Sequence, residues 1–132
     1  MNLNLNLNLD MPPTVLVVQN DAYISAVLWT LLSQRGYRVV CENSGPEGLL
    51  LVRSLFPDAV VLDVNLPGVN GLEICRQIKA DPDTRSMPVL FCSAQTYLAD
   101  EAMEFGATAF LSVPGEVIKL PECLRAVLGA RV

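Results

Sequence analysis

Asp63 closes the apolar run Ala59-Val60-Val61-Leu62, and the loop behind it, from Val64 to Gly71, is rich in Asn, Pro and Gly. A short unbroken apolar run of this kind reads as a strand buried on both faces, as in parallel sheets. In open α/β sheets, ligands bind beyond the carboxyl ends of such strands, so an acid at that spot is placed for chemistry rather than packing. What Asp63 can do then depends on the groups sharing its end of the sheet. Gln19-Asn20-Asp21 follow the apolar run Val15–Val18, Ser93 follows Val89–Cys92, and Val113-Pro114 follow Ala109–Ser112. The chain has no His, which excludes a phosphohistidine step or an imidazole metal site within it. Cys41, Cys75, Cys92 and Cys123 are scattered without a CxxC pair, each in or beside an apolar pattern. They read as buried, reduced thiols rather than zinc ligands or nucleophiles.

The elements that must position these groups follow from the pattern. Strands are expected at Val15–Val18, Tyr37–Cys41, Ala59–Leu62, Val89–Cys92 and Ala109–Ser112. The first helix runs from about Ala22 to Arg35, with Ile24, Val27, Leu28, Leu31 and Leu32 on one stripe and Gly36 as its stop. Trp29 falls off that stripe, so it is expected to be partly exposed. Ser44-Gly45-Pro46-Glu47 has the form of a capping box opening a second helix to about Leu55, broken by Phe56-Pro57-Asp58. Asn70 caps a third, carrying Leu72, Cys75 and Ile78 inward and stopping near Asp81-Pro82. A short fourth helix covers roughly Leu98 to Phe105 and closes at Gly106. The fifth starts near Pro121 and carries Cys123, Leu124, Val127 and Leu128. Five strands alternating with five helices imply an α/β fold, a parallel sheet with helices on both faces. Right-handed crossovers and one switch point give the order 2-1-3-4-5. Strands one and three then end side by side, and Asn20 meets Asp63.

Composition bounds the rest. At 132 residues, 52% hydrophobic and 6% aromatic, the chain suits one compact domain with an ordinary core. A formal charge of −5 with no basic stripe argues against nucleic acid as a partner. No apolar run reaches membrane-span length and no charged, cleavable signal segment opens the chain, so a cytoplasmic location is expected. Residues 1–12 read as a low-complexity tail before a domain at 13–132. The strict Asn-Leu alternation in that tail suits either an extended arm pairing with a neighbouring edge or a solvated segment.

From Pro13 to Arg131 this arrangement resembles the receiver domains of bacterial response regulators, the CheY-like domains with the flavodoxin-like fold. The resemblance rests on Asp63 with Asn65, Pro67, Gly68 and Gly71 behind it, on Ser93-Ala94, on Gly106-Ala107 before Phe110, and on Pro114. It implies that Asp63 is the phosphoacceptor for a histidine kinase and that Ser93 and Phe110 are the switch residues. It also implies a magnesium ion held by Asp63, the Asn65 carbonyl and an acidic pair ending strand one. Here that pair is replaced by Gln19 and Asn20, and Asp21 keeps a carboxylate one residue along. Hard Mg²⁺ prefers charged oxygens, so a site built from Asp63, Asn20, Asn65 and Asp21 is expected to bind it weakly. The family's lysine before the proline is replaced by Val113, while the Val113-Pro114 bond matches the position of a cis peptide. Phe110 lacks a hydroxyl to favour an exposed state, so it is expected to stay buried.

The reading is therefore an atypical receiver, not an enzyme, acting as a signalling and protein-interaction module with weak or no Mg²⁺-dependent phosphorylation. An alternative is a functional Asp63 phosphoacceptor with a non-standard metal site. A second is a small cofactor-binding protein on a flavodoxin-like scaffold, which no nucleophile–base pair or glycine-rich phosphate loop supports. Expected partners are proteins, either a histidine kinase or another signalling domain. The face of helix four, strand five and helix five is a possible homodimer surface. No output domain follows Val132, so a stand-alone receiver and a piece of a longer regulator are both open.

Overall fold

The computed structural model describes residues 11–129. Strands β1 (Thr14–Val18), β2 (Arg38–Glu42), β3 (Ala59–Leu62), β4 (Val89–Ser93) and β5 (Ala109–Ser112) form one sheet in the order β2-β1-β3-β4-β5. Every neighbouring pair is parallel, with Val18 opposite both Glu42 and Leu62. Between them lie α1 (Ala22–Ser33), α2 (Gly45–Leu55), α3 (Gly71–Ala80), α4 (Ala99–Glu104) and α5 (Leu120–Leu128). Single 3₁₀ turns, Thr96–Leu98 and Val117–Lys119, lead into α4 and α5. This is the expected flavodoxin-like receiver fold.

Alternation along the strands feeds two cores. Leu16, Val18, Val60, Leu62 and Phe91 pack with Val52 of α2, Ile74 and Ile78 of α3, and Ala102 of α4. Val15, Val17, Val61, Leu90 and Cys92 pack with Leu28 and Leu32 of α1 and Leu120 and Leu124 of α5. Each large side chain so buried contributes about 1.5–3 kcal/mol. With both faces covered, β1, β3 and β4 become the unbroken apolar runs seen in the sequence.

Several local expectations are corrected. Strand β2 starts at Arg38 rather than Tyr37 and runs on to Glu42. The break after α2 is a left-handed Phe56 (φ 49°), whose N–H caps the Val52 carbonyl before Pro57 forbids another turn. Cys41 is exposed rather than buried, whereas Cys75 and Cys92 are buried as expected and Cys123 is half-buried. The cause is its place on an edge strand, opposite the small side chains Ala22 and Ala26 of α1, which leave a groove open. Trp29, 51% exposed, stands on the same groove. The Asn-Leu alternation falls in residues 1–10, outside the described residues. Among the described residues no helix is long and apolar enough to cross a membrane.

Candidate functional site

Asp63 leaves the end of β3 with its N–H donating to the Val18 carbonyl at 3.0 Å, which holds the ends of β1 and β3 together. The following loop turns back on itself. The Val64 carbonyl accepts from the N–H groups of Leu66 (3.1 Å) and Gly71 (2.9 Å), while Val64 and Leu66 are buried. Gly71 has no room for a side chain, because a Cβ there would overlap the Asp63 carbonyl. Asn70 caps α3 as expected, its side-chain oxygen accepting from the Glu73 N–H at 3.0 Å.

Around the half-buried Asp63 carboxyl, burial pushes its pKa above the ordinary aspartate range. The Ser93 hydroxyl and the backbone N–H groups of Asn65 and Val64 pull it back down, and the negative charge of Asp21 pushes it up again. Asp63, Ser93 and the Asn65 backbone thus come together, with Asp21 in electrostatic range. Ser93 is buried and its Oγ also accepts from the Gln95 N–H at 3.1 Å. Sequence reasoning missed Gln95 because any residue type can supply a backbone donor.

The β1 end is occupied differently. Gln19 is buried, and its Oε1 accepts from the Asp21 N–H at 3.1 Å. Asp21 is the N-cap of α1, its Oδ1 accepting from the N–H groups of Tyr23 (2.8 Å) and Ile24 (3.1 Å). Asn20 is exposed and brings only a neutral amide. Among the described residues, no group of three or more His, Cys, Asp or Glu side chains is arranged to hold a metal. One half-buried carboxylate, one carboxylate serving as a helix cap and neutral oxygens do not fit a magnesium site of ordinary strength.

The β5 end carries the uncharged Val113. Val113 packs against the core on the α1 and α5 side, and its N–H donates to the Ser93 carbonyl at 3.2 Å. The Val113-Pro114 bond is cis, as expected. Nearby, Lys119 Nζ pairs with Glu116 Oε2 at 3.4 Å, while Glu116 Oε1 accepts from the Ser112 N–H. Phe110 corrects the expectation of full burial. It is half-buried, stacked on Phe91 with ring centroids 5.8 Å apart and planes at 21°, because β5 is an edge strand. Behind the site, burial pushes the Cys92 thiol up to about 12 and the Cys75 thiol up to about 11, so neither is a nucleophile at neutral pH.

A parallel five-stranded sheet with an aspartate at the end of β3, a serine at the end of β4 and a cis proline after β5 defines a receiver-type scaffold. The profile of the response regulator receiver domain matches residues 15–125, and the chain belongs to that family. It is 36% identical over 118 residues to the transcriptional regulatory protein AfsQ1 of Streptomyces coelicolor, covering 88% of this chain and 51% of that protein. It is 31% identical over 121 residues to the polar-differentiation response regulator DivK of Brucella anthropi, covering 90% of this chain and 98% of DivK. This chain spans about half the length of AfsQ1 and of the MprA response regulators it also matches. Among solved structures, a response regulator of Chloroflexus aurantiacus superimposes with a TM-score of 0.84 at 31% identity, covering 90% of this chain and 99% of that one. The receiver domain of the sensor histidine kinase PA1611 of Pseudomonas aeruginosa, with a magnesium ion coordinated in its active-site cleft, shares the fold (TM-score 0.81, 23% identity, 90% and 99% covered). The chain is thus a receiver domain of two-component signal transduction, the class of module that histidine kinases address.

Proposed function

We propose that this receiver is atypical, working as a signalling and protein-interaction module in which magnesium-dependent phosphorylation of Asp63 is weak or absent. The observation that carries this reading is the set of groups around Asp63. Moving a phosphoryl group onto a carboxylate concentrates negative charge that a divalent cation and an ammonium must offset. Here the β1 end offers the amides of Gln19 and Asn20, Asp21 is engaged as a helix cap, and the partly buried Val113, packed against the core, stands at the position where the resemblance implies an ammonium. Incubation with Mg²⁺ and acetyl phosphate tests it. The expected result is no stoichiometric modification even at high Mg²⁺.

The second reading keeps Asp63 as a working phosphoacceptor with a metal site drawn from Asp63, Asp21, the Asn20 amide and the Asn65 carbonyl. Its support is the electrostatic coupling of Asp21 to Asp63 and the Ser93 hydroxyl on the carboxylate, with Ser93 and Phe110 as the switch pair. Stoichiometric modification that vanishes in Asp63→Ala would establish it. In either case the partners are proteins, a histidine kinase or another signalling domain. The face of α4, β5 and α5, where Met103 and Val127 are exposed, is the proposed surface for a homodimer.

A further inference from the structure

Where α1 gives way to β2, at the opposite end of the strands from Asp63, the fold sets two arginines around a buried tyrosine. The N–H groups of Arg35 and Gly36 close α1 on the Leu32 and Ser33 carbonyls, both at 3.1 Å, and the left-handed Gly36 (φ 93°) turns the chain back. The Tyr37 N–H returns to the Leu32 carbonyl at 3.2 Å, so Arg35 and Tyr37 are held on either side of one tight turn. Tyr37 is 6% exposed and belongs to the core formed by Leu28, Leu32, Leu120 and Leu124. Pro121 and Arg125 lie four residues apart on α5 and so share a face of that helix. Arg35, Tyr37, Pro121 and Arg125 together line a pocket of about 70 Å³.

The charges in this pocket are uncompensated. Among the described residues the ion pairs join Glu73 to Arg76 and Glu116 to Lys119, which leaves Arg35 and Arg125 without a carboxylate. The Tyr37 hydroxyl has no hydrogen-bond partner among those residues either. Burial pushes the Tyr37 pKa above its ordinary 10, against the pull of the Arg125 and Arg35 charges, so the hydroxyl is neutral at pH 7 and both guanidiniums act on it. The pocket therefore gathers donors and no acceptor. We propose that it binds a phosphate dianion, held between Arg35 and Arg125 with the Tyr37 hydroxyl as a third donor. Charge favours phosphate over a carboxylate. A phosphate monoester carries about −1.5 to −2 at neutral pH and matches two guanidiniums, whereas a carboxylate would leave one unanswered. Size agrees, since the space of about two waters, roughly 30 Å³ each, suits an oxyanion head and not a drug-sized body of about 300 Å³ or more. The ligand is thus inorganic phosphate or the terminal group of a small phosphomonoester whose remainder stays outside.

Titration of the isotope-labelled full chain with inorganic phosphate, followed by amide NMR at constant ionic strength, tests the assignment. Saturable shifts are expected at the amides of Arg35, Gly36, Tyr37 and Arg125. Arg35→Gln and Arg125→Gln should each weaken binding at least about tenfold, and Tyr37→Phe, which keeps the ring in the core, about threefold. Arg53→Gln removes the same charge from α2, where Arg53 donates to Gln77, and should bind as the parent does. Arg35, Arg53 and Arg125 are all exposed, so these variants keep the core, and unchanged signals elsewhere in the spectrum verify it. Glycerol phosphate at the same ionic strength separates the two sources. Affinity equal to that of inorganic phosphate assigns the end of a monoester, and weaker affinity assigns the free ion. Shifts that never saturate, equal affinity for acetate, or an equal loss in Arg53→Gln would overturn the proposal in favour of general charge attraction. Parent-like affinity in both Arg35→Gln and Arg125→Gln would overturn it as well.

Discussion

The two sides of the carboxyl end of the sheet have been treated differently. On the β3 and β4 side, Asp63, Asn70, Gly71 and Ser93 form a loop held by backbone hydrogen bonds and close packing. On the other side, across the β1–α1 and β5–α5 connections, stand the uncharged residues Gln19, Asn20 and Val113. The first set is demanded by the fold, since Gly71 cannot carry a side chain and the Asp63 N–H completes the β1–β3 pairing. The second set owes the fold very little. Gln19 makes its side-chain bond to a backbone N–H, and Val113 adds to the core, so neutral residues stabilise the scaffold there at least as well as charges would. The loop that carries Asp63 is therefore held by the fold independently of the residue types at the ends of β1 and β5.

The largest effect should come from breaking the side the fold demands. Gly71→Ala pushes a methyl into the Asp63 carbonyl and is expected to cost about 2–3 kcal/mol. A lower urea midpoint at unchanged slope would show it. A Gly71→Ala variant as stable as the parent would mean that this loop is not held by close packing.

Restoring charge to the other side sharpens the contrast. Asn20→Asp combined with Val113→Lys gives Asp63 a second free carboxylate and an ammonium. We expect Mg²⁺ affinity by calorimetry to rise about tenfold, near 1.4 kcal/mol, with acetyl phosphate labelling that disappears when Asp63→Ala is added. If the double variant binds and labels no better than the parent, the uncharged residues at positions 20 and 113 do not limit Mg²⁺ binding or labelling at Asp63.

Much of this was legible in the sequence, for physical reasons. Strands buried on both faces leave unbroken apolar runs, so the sheet order and the site at the ends of β1 and β3 follow from Val15–Val18 and Ala59–Leu62. Asn70 announces itself because a helix cap restricts residue type, whereas the close approach of Gly71 to the Asp63 carbonyl emerges only in the structure. Cys41 and Phe110 were misjudged for one shared reason. Both lie on edge strands, where periodicity tells which face a side chain takes but not whether a helix covers it. The double duty of Ser93, bonded to the Asp63 carboxylate and to the Gln95 N–H, was invisible because a backbone donor leaves no trace in sequence.

The smallest effect tests the electrostatics of Asp63 itself, by setting it against a carboxylate of opposite character. Burial raises the Asp63 pKa above its ordinary 3.8, so the folded chain holds that proton more readily than the unfolded one. Its favourable contribution is complete below the unfolded value and is lost as pH rises through the folded value, leaving an ionised group that opposes folding at neutral pH. Asp63→Asn should therefore melt slightly higher than the parent at pH 7, and the advantage should fade in acid. Solvent reaches the half-exposed carboxyl, which keeps the gain small. Glu73 is the counterpart, held down to about 2 by its hydrogen bond from Arg76 on the surface of α3. Its contribution is present above the unfolded value of 4.5 and is lost as pH falls towards 2, so Glu73→Gln should melt lower than the parent at pH 7 and approach it in acid. Melting curves of both variants from pH 3 to 8 should differ from the parent with opposite sign and converge towards it at the acid end. A loss of stability at pH 7 in Asp63→Asn would mean that hydrogen bonding by Ser93 and the loop N–H groups outweighs burial, and that the fold favours the ionised acceptor.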